Sequence, residues 1–230
     1  MENNEKILAV IPARGGSKGL PGKNIMEADG KPLLAYTILA AQAAHSIDRV
    51  ILSSDDQEII ETAKRWSCDV PFQRPPALAS DVASSFEVIR HAVTQVSGYD
   101  YVMLLQPTSP LREAADIDAA VDLMRASGAP SCASVCRVTQ SPYLMYALSE
   151  DGRLESLLPG HNTSARRQDQ PEIYRLTGAI YLARIDRLLE TEQFVDEFTI
   201  AYEMPENRSI DIDNAADFEQ FRTIIEGART

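Results

Sequence analysis

The chain has three cysteines, three histidines and no long apolar run, and each shortage closes a class of function. Cys68, Cys132 and Cys136 are odd in number and match no zinc or redox spacing, so they read as reduced core thiols. His45, His91 and His161 stand far apart in segments without other catalytic signals, and none is a convincing general base. No segment reaches the roughly 18 uninterrupted apolar residues that suggest a membrane span. The start, Met1-Glu2-Asn3-Asn4-Glu5-Lys6, is acidic and polar where a secretory leader begins basic and turns apolar, so a cytoplasmic protein is expected. Basic residues are also scarce: 22 Lys and Arg face 34 Asp and Glu, for a formal charge of -12. That balance argues against nucleic acid or an anionic membrane surface as partner, and an anionic substrate would need a local basic pocket.

What is present suffices for a full core: 230 residues, 44% apolar and 24% charged, read as one globular domain with a small inserted lobe. Apolar runs of strand length at 7–11, 50–53, 101–105 and 134–138 alternate with helix-period segments at 32–44, 57–66, 84–96 and 116–124. This rhythm predicts an α/β fold, a doubly wound and mostly parallel sheet of Rossmann-like type. It breaks at 140–170, rich in Pro, Ser, Gly and Arg with a short alternation at 143–148, and returns at 179–182, 199–202 and a last amphipathic helix near 215–225. The expected division is a core at 1–138, an inserted lobe at 139–184 and a return to the core at 185–230. There is no internal repeat and no low-complexity tract.

The charge is unevenly spread. Residues 6–26 contain no acid but hold Lys6, Arg14, Lys18 and Lys23. Within them, Arg14-Gly15-Gly16-Ser17-Lys18-Gly19-Leu20-Pro21-Gly22-Lys23-Asn24 follows the first strand directly. Glycines let backbone N–H groups close around phosphate oxygens, and Lys and Arg neutralise the charge. In open α/β sheets ligands bind beyond the carboxyl ends of strands, where this loop should lie. It is not a Walker A loop, since Ser17 stands where the first Gly would be and Asn24 where Ser or Thr would hold the metal, and it contains no G-x-G-x-x-G. A Gly-rich turn alone would read as a solvated loop; its place after the first strand and its charge favour anion binding.

Three later segments carry chemistry. The Pro-rich stretch Arg74-Pro75-Pro76-Ala77-Leu78-Ala79-Ser80-Asp81-Val82-Ala83-Ser84-Ser85 offers a planar donor fork and hydroxyls to a ligand, or it is a turn in which Ser80 or Asp81 caps the next helix. Leu104-Leu105-Gln106-Pro107-Thr108-Ser109-Pro110-Leu111-Arg112 leaves a buried strand at a place where a side chain can reach a ligand, or is a plain Pro-rich exit. In Ser209-Ile210-Asp211-Ile212-Asp213 an extended backbone puts two carboxylates on one face, and hard oxygens suit Mg²⁺; the alternative is that Asp213 caps the final helix.

The run Ile11-Pro12-Ala13 continuing through Arg14 to Lys23-Asn24 closely resembles the signature of the acylneuraminate cytidylyltransferases, also called CMP-sialic acid synthetases. The resemblance extends over nearly the whole chain, strongest at 7–25 and weakest at 140–170. It implies transfer of CMP from CTP to a nine-carbon 2-keto-3-deoxy sugar acid, N-acetylneuraminate or a legionaminate-type acid, with release of pyrophosphate, and a place in cell-surface polysaccharide biosynthesis. Arg14, Ser17, Lys18, Lys23 and Asn24 would then bind the nucleotide with Arg74 and Ser85 at base and ribose, and Gln106, Arg175, Thr177 and Tyr181 would orient the sugar. Asp211 and Asp213 would hold Mg²⁺, and Arg14, Lys23 and Asp211 would be the groups on which catalysis depends.

In the family the inserted lobe is a dimerisation element reaching the partner's active site, so a homodimer with shared sites is implied, with Arg166 and Arg167 in that lobe or merely solvated. Two departures bear on the sugar: Thr177 stands where users of N-acetylneuraminate commonly have Asn, and Leu144 near where some carry Lys. Sibling enzymes for the eight-carbon 3-deoxy-manno-octulosonate share a shorter form of the loop and are the alternative, as is a regulatory module that binds nucleotide without chemistry.

Overall fold

The computed structural model describes residues 5–158 and 171–227. Among the described residues ten strands and six α-helices follow one another in chain order. The strands are β1 (Ile7–Pro12), β2 (Glu27–Ala28), β3 (Lys31–Pro32), β4 (Arg49–Ser53), β5 (Tyr101–Leu104), β6 (Ser131–Arg137), β7 (Tyr146–Leu148), β8 (Leu154–Ser156), β9 (Tyr174–Arg184) and β10 (Thr199–Glu203). The helices are α1 (Leu33–Ala43), α2 (Gln57–Arg65), α3 (Ser85–Gln95), α4 (Ala114–Ser127), α5 (Ile185–Thr191) and α6 (Ala215–Gly227).

The central sheet has the order β10-β6-β9-β5-β1-β4. β1 pairs in parallel with β4 and β5, and β10 in parallel with β6, whereas β9 runs antiparallel to both its neighbours. The sheet is thus mostly parallel, and its strands β1 and β5 are continuous apolar runs because helices cover both faces. On one face, Leu34 and Ile38 of α1, Ile59 and Ile60 of α2, and Ile117 and Val121 of α4 pack on Ile7, Ile11, Leu52 and Met103. On the other, Phe86 and Ile89 of α3 and Leu188 of α5 pack on Leu8, Val10 and Val102. α6 adds a third cluster in which Phe218 and Phe221 meet Leu33 and Ile212.

β9 belongs with the sheet rather than with the excursion that precedes it. The described part of that excursion includes the two-stranded hairpin β7–β8, whose side chains are exposed throughout. The central sheet therefore resumes at 174, where the expected division put the return to the core at 185, because β9 lies between β5 and β6 as one of its strands. Among the described residues no helix is long and apolar enough to cross a membrane.

Candidate active site

From β1 the chain steps to β4 on one side and then to β5 on the other, and a crevice opens at the carboxyl ends of these strands, where such a reversal leaves room for a ligand. The cleft there has a volume of about 630 Å³. Its lining brings together Arg14, Ser17, Lys18, Lys23, Asn24, Arg74, Ser85, Gln106 and Asp213. These nine come from four separate stretches of sequence, and all nine were singled out from sequence.

The glycine loop is closed by its own chemistry. Asn24, buried, donates from Nδ2 to the carbonyl of Arg14 at 3.0 Å, and the N–H of Gly15 reaches Asp55 Oδ1 at 3.3 Å. Gly19 lies against the backbone carbonyl of Asp213, where a Cβ would collide with that oxygen, so the loop can touch the acidic segment only as glycine. Lys23 Nζ completes the junction by donating to the carbonyl of Ile212 at 2.7 Å and to Asp213 Oδ1 at 3.2 Å.

The loop's cations do not face an empty field. Asp81 bridges Arg14 Nη2 at 2.8 Å and Lys18 Nζ at 2.6 Å, and Lys18 followed by Arg14 holds its carboxyl below the usual range. Asp81 is therefore neither a helix cap nor a spare acid. The cap of α3 falls instead on Ser84, whose hydroxyl accepts from Glu87 N at 3.2 Å while Glu87 Oε2 accepts from Ser84 N at 3.0 Å. Ser85 is thereby the first residue of α3, with the helix N-terminus turned toward the cleft. Arg74 forms the back wall: it is buried, donates to the hydroxyl and carbonyl of Ser53, and desolvation pulls its pKa down to about 10.

The acidic segment 209–213 is not a ladder strand, yet it is extended enough that Ile212 is buried while Asp211 and Asp213 on either side are exposed. The N–H of Ile212 is anchored on Thr108 O at 2.8 Å. Asp213 does not cap α6, since Asn214 Oδ1 accepts from Ala216 N at 2.8 Å and Asp217 N at 3.1 Å. Asp211 accepts a hydrogen bond from Thr108, with Lys23 and Arg175 in electrostatic reach, but desolvation on its inner flank and then Asp213 outweigh these and raise its pKa. Among the described residues no group of three or more His, Cys, Asp or Glu gathers. Two coupled carboxylates fit Mg²⁺, which commonly takes one or two from the protein and the rest from water and substrate phosphate.

Arg175, Thr177, Tyr181 and Asp211 do not line the cleft itself. Three of them gather at its edge: Arg175 Nη2 donates to Ser209 O at 2.7 Å, and desolvation followed by the charge of Asp211 raises the pKa of the Tyr181 phenol. Thr177 is different. It is buried, its Oγ1 lies 2.6 Å from Ser134 Oγ and 3.8 Å from Met204 Sδ, and so its hydroxyl serves the sheet. Leu144 is exposed on the excursion, and Arg166, Arg167 and His161 lie outside the described residues.

Sequence reasoning assigned nothing to Arg112 or Asp116. Arg112, 2% exposed, donates to Ala179 O at 2.7 Å, Thr37 Oγ1 at 3.1 Å and Gln106 O at 2.6 Å. Asp116 receives both guanidinium nitrogens of Arg208, at 2.6 and 2.9 Å, and the hydroxyl of Tyr202 at 2.9 Å, which ties the start of α4 to the approach of the acidic segment. An Arg directly after the Pro-Leu of a strand exit was the available signal for the first; nothing local marks the second.

Residues 8–229 match the cytidylyltransferase family model. The chain is 38% identical over 220 residues to N-acylneuraminate cytidylyltransferase of Escherichia coli, covering 95% of this chain and 52% of that protein. It is 33% identical over 226 residues to CMP-N,N'-diacetyllegionaminic acid synthase of Legionella pneumophila, covering 96% of this chain and 97% of that one. The chain thus spans about half the length of the first relative and nearly all of the second. A solved CMP:2-keto-3-deoxy-manno-octonic acid synthetase complexed with CTP superposes with a TM-score of 0.72 at 18% identity, over 97% of this chain and 99% of that one, a likeness of fold.

Proposed function

The chain belongs to the cytidylyltransferase family, and from that premise we propose that it transfers CMP from CTP to a nine-carbon 2-keto-3-deoxy sugar acid of the N-acetylneuraminate or legionaminate type, releasing pyrophosphate. The observation that carries the reading is the convergence, in one cleft, of Arg14, Lys18 and Lys23 with Arg74, Ser85, Gln106 and Asp213. Both of these relatives, which match nearly all of this chain, are named for nine-carbon acids, and the long glycine signature favours the same branch.

In this reading Arg14, Lys18 and Lys23 hold the triphosphate: Arg14 and Lys18 exchange the carboxylate of Asp81 for phosphate oxygens, and Lys23 reaches them from its place on Ile212 O and Asp213. Arg74 and Ser85 receive the cytosine and ribose. Gln106, Arg175 and Tyr181 orient the acceptor so that its anomeric hydroxyl approaches the α-phosphorus in line with the departing pyrophosphate. Asp211 and Asp213 would hold Mg²⁺, which when bound neutralises charge on the phosphates. Little side-chain chemistry is needed beyond this positioning.

A homodimer fits the exposed apolar side chains of the excursion, where Leu148 and Leu154 on β7 and β8 are 73% and 67% exposed and a two-stranded hairpin has no core face of its own. Light scattering showing an active monomer would contradict it.

The deciding experiment is pyrophosphate release from CTP and Mg²⁺ across N-acetylneuraminate, diacetyllegionaminate, pseudaminate and 3-deoxy-manno-octulosonate. Turnover of nine-carbon acids is expected. Exclusive use of the eight-carbon acid would move the protein to the sibling branch, and CTP binding without turnover of any acid would make it a nucleotide-binding module.

A further inference from the structure

β9 does not run straight through the sheet. Against β6 its register jumps, with Ala133 opposite Tyr181 but Val135 opposite Leu176, so residues 177–180 arch out of the ladder. A bulge leaves backbone groups without their strand partners, and buried ones need substitutes.

Here side chains supply them. Ser109 Oγ donates to Thr177 O at 2.9 Å and Arg112 Nε to Ala179 O at 2.7 Å. Ser134 Oγ accepts from Ile180 N at 2.8 Å, and Thr177 Oγ1 accepts from Ala179 N at 3.3 Å. At the crest stands Gly178, with φ +75°, a conformation that other residues rarely adopt. A Cβ there would collide with Oε1 of Gln106 and stand 3.2 Å from Ser109 Oγ. The guanidinium that holds the bulge also holds the carbonyl of Gln106, at 2.6 Å.

We propose that the bulge at 177–179, held by Ser109, Arg112 and Ser134, is the positioning element for the Gln106 amide, and that Gly178 is the position whose size determines how the acceptor acid is read. The inference rests on the reading of Gln106 as an acceptor contact. It changes the assignment of Thr177, whose hydroxyl braces the bulge from beneath while its glycine neighbour forms the floor under Gln106. A methyl at 178 must displace the Gln106 amide, because the atoms nearest it belong to Gln106 and Ser109 and none to the glycine loop or Arg74.

The test is Gly178→Ala, alone and combined with Gln106→Ala, read by equilibrium CTP binding without sugar, by steady-state kinetics across the sugar panel and by thermal unfolding. Expected are CTP affinity within about twofold of wild type, KM for the preferred acid raised on the order of tenfold, and an altered ranking among acids; a closed polar contact misplaced by a methyl typically costs about that factor. Gly178→Ala should also lower Tm by less in the Gln106→Ala background than in the wild type, because the collision is gone there. Unchanged KM and ranking would overturn the proposal, as would a parallel loss of CTP affinity or an equal Tm loss in both backgrounds. If wild type turns over no sugar acid, the proposed function fails and the acceptor part of this inference with it, while the Tm comparison still decides whether 178 and 106 are coupled.

Discussion

Lys18 in the glycine loop has 80% of its side chain exposed, whereas Arg112, which holds the bulge of β9, is 2% exposed, and both serve the same cleft. In the loop the long cationic ends of Arg14 and Lys18 can leave Asp81 and take up another anion. The bulge is a fixed lattice in which Ser109 and Arg112 donate to backbone carbonyls while the hydroxyls of Ser134 and Thr177 accept from backbone N–H groups. A site that must admit and release a highly charged nucleotide gains from exchangeable partners at low cost, since exposed ion pairs are individually weak. One that must distinguish similar hydroxylated acids gains from immobile polar groups, because a misplaced buried one is expensive. In the proposed function the two halves of the cleft divide these tasks.

Breaking the acidic segment that both halves share should have the largest effect. Asp211→Ala is expected to lower turnover on the order of 10²-fold or more with the fold retained, as read by pyrophosphate release beside thermal unfolding. Near-normal turnover at saturating CTP would remove Asp211 from the metal site.

Breaking the fixed half should show first as lost stability. Arg112→Met leaves the buried carbonyls of Gln106 and Ala179 without a donor, at about 2 kcal/mol or more in urea unfolding, and should raise KM for the acid while sparing CTP affinity. A milder probe of the same half is Thr177→Val, which removes the hydroxyl facing Ser134 and should cost about 1 kcal/mol without changing the ranking of sugars. A changed ranking would return Thr177 to direct contact with the acceptor.

The smallest effect is expected in the exchangeable half. Asp81→Asn frees Arg14 and Lys18, so CTP should bind about two- to threefold more tightly in low salt by calorimetry, the gain fading as salt screens the pair. Weaker binding would mean that Asp81 contributes to the nucleotide site rather than competing with it.

The sequence made the exchangeable half legible and left the fixed half nearly silent. Anion loops are written in contiguous residues, so Arg14, Lys18, Lys23 and their glycines could be read together. Thr177 lay in a recognised stretch, but its direction could not be read, because a bulge reverses the alternation from which facing is inferred. Asp81 sat in a stretch already explained as a helix start, and only folding brought it onto the loop's cations. The segment at 209–213 shows the intermediate case, since the carboxylate pair was visible but its anchors, Thr108 O and Arg175, lie far off in the chain.

By itself the sequence determined the order of the central-sheet strands and of every helix but α5, the mostly parallel sheet with helices on both faces, and the basic glycine loop that lines the cleft, because apolar periodicity and turn chemistry act over a few residues. The tertiary structure alone decided that Lys23 meets Asp213 across 190 residues, that Arg112 joins Gln106 to the β9 bulge, and that Gly178 rather than Thr177 faces the Gln106 amide. Such contacts depend on register and on which buried carbonyl lacks a partner, and those are properties of packed neighbours rather than of any one segment.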